Sequence, residues 1–177
     1  KLNTLSLMHN KIKSNGLVSL CKKLSLLTKL THLNLSANFI LYEEIEPFIT
    51  TLNNLSSLLY LNIANNQIMS DGLVLISGKL HKMPQLQYVN ISENCIKSKG
   101  FISFAENMKY CPNIHTLVFY GNQIGYDGMK AIVNNLYTIP KLRELNIGFN
   151  LIGDDELKML AKEIGSVPLL EVLNLRE

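Results

Sequence analysis

The sequence predicts an α/β solenoid, and three observations carry that reading. The pattern L-x-x-L-x-L-x-x-N-x-[IL] recurs every 28 residues with no insertion or deletion, anchored by Asn10, Asn38, Asn66, Asn94, Asn122 and Asn150. A fixed period of ~20–50 residues means stacked supersecondary units. Within each unit the first half alternates with period 2, as a strand with one buried face does, and the second half changes to helical spacing. Arrays of this kind offer a long concave surface to another macromolecule.

Six complete units begin at Leu2, Leu30, Leu58, Leu86, Ile114 and Leu142, and a seventh begins at Leu170 and stops after its strand. Residues 1–177 therefore read as one repeat domain without a linker. The strand halves are segments such as Leu33-Asn34-Leu35, Leu61-Asn62-Ile63 and Val89-Asn90-Ile91. The helical halves carry one apolar stripe each: Leu17, Leu20, Leu24; Ile45, Phe48, Leu52; Leu73, Ile76, Leu80; Phe101, Phe104, Met108; Met129, Ile132, Leu136; and Leu157, Leu160, Ile164. Each stripe is expected to face the sheet.

Turn residues fall on the same period. Gly16, Gly72, Gly100 and Gly128 share one position at the helix entrance, preceded in four units by Asn15, Asp71, Asp127 or Asp155. Short polar side chains there are expected to accept from unpaired N–H groups of the first turn. Pro84, Pro112, Pro140 and Pro168 share a position just past the helix, where proline stops it and starts the extended return. The periodic asparagine sits where the chain leaves the strand. A buried amide there can satisfy backbone groups of adjacent turns, so the asparagines are expected to form an internal ladder and not a catalytic set.

Composition narrows the function classes. With 47% hydrophobic residues among 177, the chain can fill one continuous core. A net charge of +3 is too small an excess to argue for nucleic acid. The lysines fall mostly on helix and loop positions, which reads as a solvated convex face. The three cysteines, Cys21, Cys95 and Cys111, match no zinc spacing and no disulfide framework. No apolar run is long enough to span a bilayer and no signal peptide is visible. Two of the sequons, at Asn34 and Asn90, would place glycans on the concave strands, so an intracellular, cytoplasmic location is expected. Both ends lack a polar cap over the core, which reads as part of a longer array.

The repeat resembles the leucine-rich repeat family over the whole chain, and its length and full helix are similar to the ribonuclease-inhibitor-like class. The resemblance implies a horseshoe, with parallel strands on the concave face and helices on the convex face. The crossovers are then expected to be right-handed. Secreted members carry cysteine-rich caps, which this sequence does not have.

On such strands the residues between the leucines face the groove. One column is Thr4, His32, Tyr60, Tyr88, Thr116, Glu144 and Val172; a second is Ser6, Asn34, Asn62, Asn90, Val118, Asn146 and Asn174; a third contains Met8, Ser36, Ala64, Ser92, Tyr120 and Gly148. Aromatic anchors in a rigid groove are typical of interfaces. His32, Tyr60, Tyr88, Tyr120 and Phe149, flanked by Arg143 and Glu144, are therefore the candidate partner-binding residues. The bland alternative is that they only cover sheet backbone.

Nothing in the pattern points to enzyme chemistry, a cofactor or a bound metal. His32 and His115 lie three strands apart, about 14 Å at ~4.8 Å per strand, too far to share an ion. Asp154 and Asp155 sit at a helix entrance, where capping and the helix dipole account for them. The second unit departs from its siblings: Leu41-Tyr42-Glu43-Glu44-Ile45-Glu46-Pro47 replaces the entrance glycine by Glu44, and with Phe39 it offers an apolar and acidic rim.

The leading expectation is a non-enzymatic scaffold, monomeric in isolation, that binds another protein in its groove, with neither nucleic acid nor membrane as partner. The resemblance also admits a regulator similar to the Ran GTPase activators, which act through loops at one rim, or the sensor array of an innate immune receptor. No functional residue of the former can be matched here.

Overall fold

The computed structural model describes residues 1–176, apart from the Ser14 side chain. Each repeat begins with a three-residue strand: β1 Thr4–Ser6, β2 His32–Asn34, β3 Tyr60–Asn62, β4 Tyr88–Asn90, β5 Thr116–Val118, β6 Glu144–Asn146 and β7 Val172–Asn174. They pair in parallel, in sequence order, as one sheet of seven. The register is one repeat per strand, so that Thr4, His32, Tyr60, Tyr88, Thr116, Glu144 and Val172 form a single row. Between the strands run α1 Ser14–Leu24, α2 Glu46–Leu52, α3 Met69–Ser77, α4 Ser98–Asn107, α5 Gly125–Asn135 and α6 Asp154–Glu163. Helices need ~8–10 Å of spacing and strands only ~4.8 Å, so the stack bends with the sheet inside.

The core lies between sheet and helices. Every stripe residue of the second to fifth repeats is buried, including Phe101, Phe104 and Met108 at 0–1% exposure. The outer repeats depart from expectation: Leu20 and Ile164 are half-buried and Leu157 is 46% exposed, because each of the two outermost helices has a neighbour on one side only.

The buried asparagines form the expected ladder. The Asn94 amino group faces the carbonyls of Ile63, Ile91 and Ser92 at 2.9–3.1 Å, and its Oδ1 accepts from Ile68 N–H at 3.3 Å. Asn38, Asn66, Asn122 and Asn150 repeat the arrangement, each joining its own strand end to the preceding repeat. Asn10 bonds only its local carbonyls, Leu7 and Met8.

Beneath the uniform period the loops alternate. The amide oxygens of Asn66 and Asn122 each accept two N–H groups, from Asn38 and Ile40 and from Asn94 and Ile96 respectively. The donating loops turn through a left-handed residue just after the asparagine, at Phe39 (φ 58°) and Cys95 (φ 56°), and Leu151 does likewise. The loops of the third and fifth repeats place Gln67 and Gln123 there instead. Their N–H groups donate to Ile40 and Ile96, and left-handed φ falls two residues later, at Met69 and Gly125.

The expected helix caps are not what starts the helices. Among the described residues the one cap-like contact is Glu156 Oε2 accepting from Gly153 N–H at 3.1 Å. Asp71, Asp127 and Asp155 lie inside the first turn, where they oppose the positive helix end. Asp71 also pairs with Lys99, and Asp155 with Lys158. The entrance glycine is a packing device. A Cβ on Gly72 or Gly100 would stand 2.6 or 2.7 Å from the methyl of Ile68 or Ile96. In the second repeat, where Glu44 takes this position, the chain makes a 3₁₀ turn at Tyr42–Glu44 and the α-helix begins only at Glu46. Pro47 completes the delay, since it has no N–H to bond back to Glu43.

Asn94→Ala should lower stability by about 1–3 kcal/mol, because it leaves buried carbonyls and an N–H unpaired. Tyr88→Ala on the groove surface should cost less. Urea melts of the two variants check this, and equal midpoints would remove the ladder from its structural role.

Candidate interaction surface

The groove is built by strand alternation. Leu61, Val89 and Leu117 point into the core, and their neighbours Tyr60, Asn62, Tyr88, Asn90, Thr116 and Val118 point out. One-to-one register brings His32, Tyr60 and Tyr88 into a stack. The His32 and Tyr60 ring centroids are 5.7 Å apart, and the Tyr60 and Tyr88 rings lie 4.2 Å apart and 11° from parallel. Both tyrosines lean along their strands, so that Asn62 and Asn90 donate to their hydroxyls at 3.5 and 3.4 Å. Burial pushes the Tyr88 phenol up from its ordinary pKa, which keeps it a neutral hydroxyl.

Tyr120 and Phe149 form a second group, with ring centroids 5.3 Å apart and planes tilted by 46°. The sequence suggested one run through Tyr60, Tyr88, Tyr120 and Phe149, and the structure divides it. Tyr120 stands four repeat positions further along its strand than Tyr88, about 13 Å at ~3.3 Å per residue. Phe149 is thrown outward by its left-handed backbone (φ 55°) and is 54% exposed. Further along the strands of the first four repeats, past the His32–Tyr60–Tyr88 stack, the small side chains of Ser36, Ala37, Ala64 and Ser92 leave a hollow of about 220 Å³, which Met8, Asn62 and Glu93 also line.

Glu144 occupies the stacking row, between Thr116 and Val172. Arg143 does not flank Tyr120. It points from the strand's leading edge and pairs with Glu171. His115 is beside it in a polar hollow with Gln87, Asn113 and Lys141, separate from His32. Among the described residues no group of three histidine, cysteine or acidic side chains could hold a metal ion. No helix is long and apolar enough to cross a membrane.

The sequence marks the rim of the second repeat as an alternative contact site, but not the cavity there. Phe39 and Leu41 were read with Tyr42 as an apolar rim beside acids. Tyr42 instead packs partly against the core. Phe39, Leu41 and Glu44 line a cavity of about 460 Å³ with Lys11 and Lys13 of the first repeat. The lysines had no distinguishing pattern in the sequence; the stacking of one loop on the next brings them there.

A sequence model described as "Leucine Rich repeat" matches residues 1–21, 54–77, 110–133 and 138–161, which is 93 of the 177 residues. The chain belongs to the leucine-rich repeat family. Among solved structures, leiomodin-1 actin-binding site 2 superposes with a TM-score of 0.67 at 16% identity, covering 86% of this chain and 87% of that one. An internalin from Listeria monocytogenes superposes with a TM-score of 0.44 at 18% identity, over 98% of this chain and 67% of that one. Among curated proteins none matches the sequence. The leiomodin likeness speaks for a leucine-rich repeat fold.

The cysteines of this repeat array should differ in reactivity. Burial pushes the Cys111 thiol up to about 12, and its Sγ lies 3.4 Å from the Met83 carbonyl. Cys95 is exposed. A thiol-specific disulfide reagent at pH 8 should label Cys95 at once, and Cys111 only on unfolding. The raised pKa of Cys111 favours the folded state fully below the unfolded thiol's pKa, and that contribution is lost as pH rises from about 9 towards about 12. Prompt labelling of Cys111 in the native protein would contradict its placement.

Proposed function

We propose that this leucine-rich repeat chain is a non-catalytic scaffold that holds a partner protein against its concave face. The observation that carries the reading is the pair of aromatic groups on the concave side, His32–Tyr60–Tyr88 and Tyr120–Phe149, with a hollow floored by small side chains in the first four repeats. Preorganised aromatic side chains lose little entropy on binding, and such residues dominate interface energetics. Glu144 extends the first group's row, and Arg143 lies at its edge as a charged border. The uniform 28-residue unit supports assignment to the ribonuclease-inhibitor-like class, and residues 1–177 act as a single repeat domain in this reading. No residue constellation favours the GTPase-regulator or receptor-sensor alternatives.

Replacing Tyr88 and Tyr120 together by alanine should abolish capture of a native partner from a lysate and leave the thermal midpoint within a few degrees. Anchors of this type commonly contribute about 2 kcal/mol or more each. Capture that survives in a folded double variant would remove the groove as the docking face.

A further inference from the structure

The cavity at the rim of the first two repeats lies where three features of the loops coincide. The first is Glu44 in place of the entrance glycine, where a 3₁₀ turn delays the start of α2 to Glu46. The second is a missing loop bridge. Leu41 pairs with Gln67, and Lys97 with Gln123, as isolated parallel bridges; among the described residues nothing equivalent joins Lys13 to Phe39, Met69 to Cys95 or Gly125 to Leu151. The last backbone tie there is Ile12 N–H to Asn38 Oδ1 at 3.3 Å. The third is Phe39 itself, a bulky residue held at φ 58° and 56% exposed. A left-handed backbone is unfavourable for such a side chain, and here it projects the ring over the opening.

The opening has a definite chemistry. It is lined by the apolar Phe39 and Leu41, by Lys11 and Lys13 of the first repeat and by Glu44 of the second. Neither lysine is in an ion pair among the described residues. A second depression, of about 260 Å³, lies on the other side of the Phe39–Lys11 ridge and includes His9, Ala37 and Asn65. Those same three residues line the concave hollow. The surface therefore runs from the groove floor, over the ridge, into the rim cleft.

We propose that this rim cleft binds an acidic peptide segment of a partner protein, with one large apolar side chain inserted beside Phe39 and Leu41 and carboxylates set against Lys11 and Lys13. Charge complementarity chooses the occupant: two cations without an ion pair among the described residues line the apolar recess against a single acid, Glu44. A cleft of about 460 Å³ bounded by five side chains suits one inserted side chain of a peptide better than a flat lipid surface. The proposal goes beyond the groove reading and can hold or fail separately from it.

The test is titration of the ¹⁵N-labelled protein with a synthetic hexapeptide carrying four carboxylates around a Leu-Phe pair. Its lysine-flanked counterpart and vesicles of phosphatidylcholine with phosphatidylserine are run in parallel. Amide shifts should centre on Lys11, Lys13, Phe39, Leu41 and Glu44 with the acidic peptide alone. K11E/K13E should weaken binding about tenfold or more, and Y88A/Y120A should not change it. F39G should keep or raise the thermal midpoint, because glycine accepts the left-handed backbone, and yet lose binding. Any of the following overturns the proposal: no shifts at millimolar acidic peptide, equal binding of the basic peptide, unchanged affinity in K11E/K13E or F39G, or shifts confined to the groove tyrosines. Lysine-dependent binding of the vesicles without binding of the acidic peptide would assign the cleft to an anionic membrane instead.

Discussion

The buried asparagine amide is the interaction on which the rest of the fold depends. A three-residue strand is too short to fix the path of the chain beyond it, and each repeat must then turn sharply with its backbone groups still inside. One side chain resolves this. Its amino group faces two carbonyls of its own repeat and one of the repeat before, and its oxygen takes N–H groups of the preceding loop. Because each amide binds across the repeat boundary, the asparagines set the stacking distance as well as the turn. The leucines then fill a space whose dimensions are already given.

The ladder also explains where backbone strain is tolerated. Where two N–H groups of one loop converge on a single amide oxygen, as at Asn66 and Asn122, the donating loop bends through Phe39 or Cys95 in the left-handed region. Satisfying a second buried N–H is worth about as much as the left-handed conformation of a non-glycine residue costs, each on the order of 1–2 kcal/mol. The side chain at the strained position is turned out to solvent. At Cys95 this has no evident consequence. At Phe39 it places an aromatic ring beside Glu44, which, like Glu156 in the sixth repeat, replaces the entrance glycine.

Much of this was legible in the sequence, for identifiable reasons. Strand register followed from the unbroken period, since an insertion anywhere would have shifted Tyr60 from Tyr88. Core positions followed from spacing, and failed only at the outer repeats, where Leu157 has the right residue type and no second neighbouring helix to bury it. Capping was misjudged because Asp71, Asp127 and Asp155 have the composition of caps but sit one or more residues inside the helix. The aromatic run was misread because columns were compared by repeat number; Tyr88 and Tyr120 occupy different positions along the strand. The alternation of loops left almost no mark in the pattern beyond Gln67 and Gln123. The rim lysines left none, because their meaning arises only when one loop is laid on the next.

The asparagine column of the groove gains a role of its own from the hydrogen bonds. The oxygens of Asn34, Asn62, Asn90, Asn146 and Asn174 each accept the N–H two residues on, at 3.0–3.2 Å. That contact turns the strand end and is reason enough for asparagine to recur there. It also commits the amide's acceptor and leaves its amino group towards the groove. Asn62 and Asn90 share theirs with the tyrosine hydroxyls of their own strands. The floor of the groove is therefore donor-rich, and its formal charges are acids, Glu144 in the stacking row and Glu93 in the hollow. A surface of that kind matches carbonyl oxygens, and the two aromatic groups supply the apolar contact that amides lack. The lysines at the rim continue the same preference for acceptors from the floor to the edge, so the groove and the cleft present compatible chemistry to a single chain crossing both.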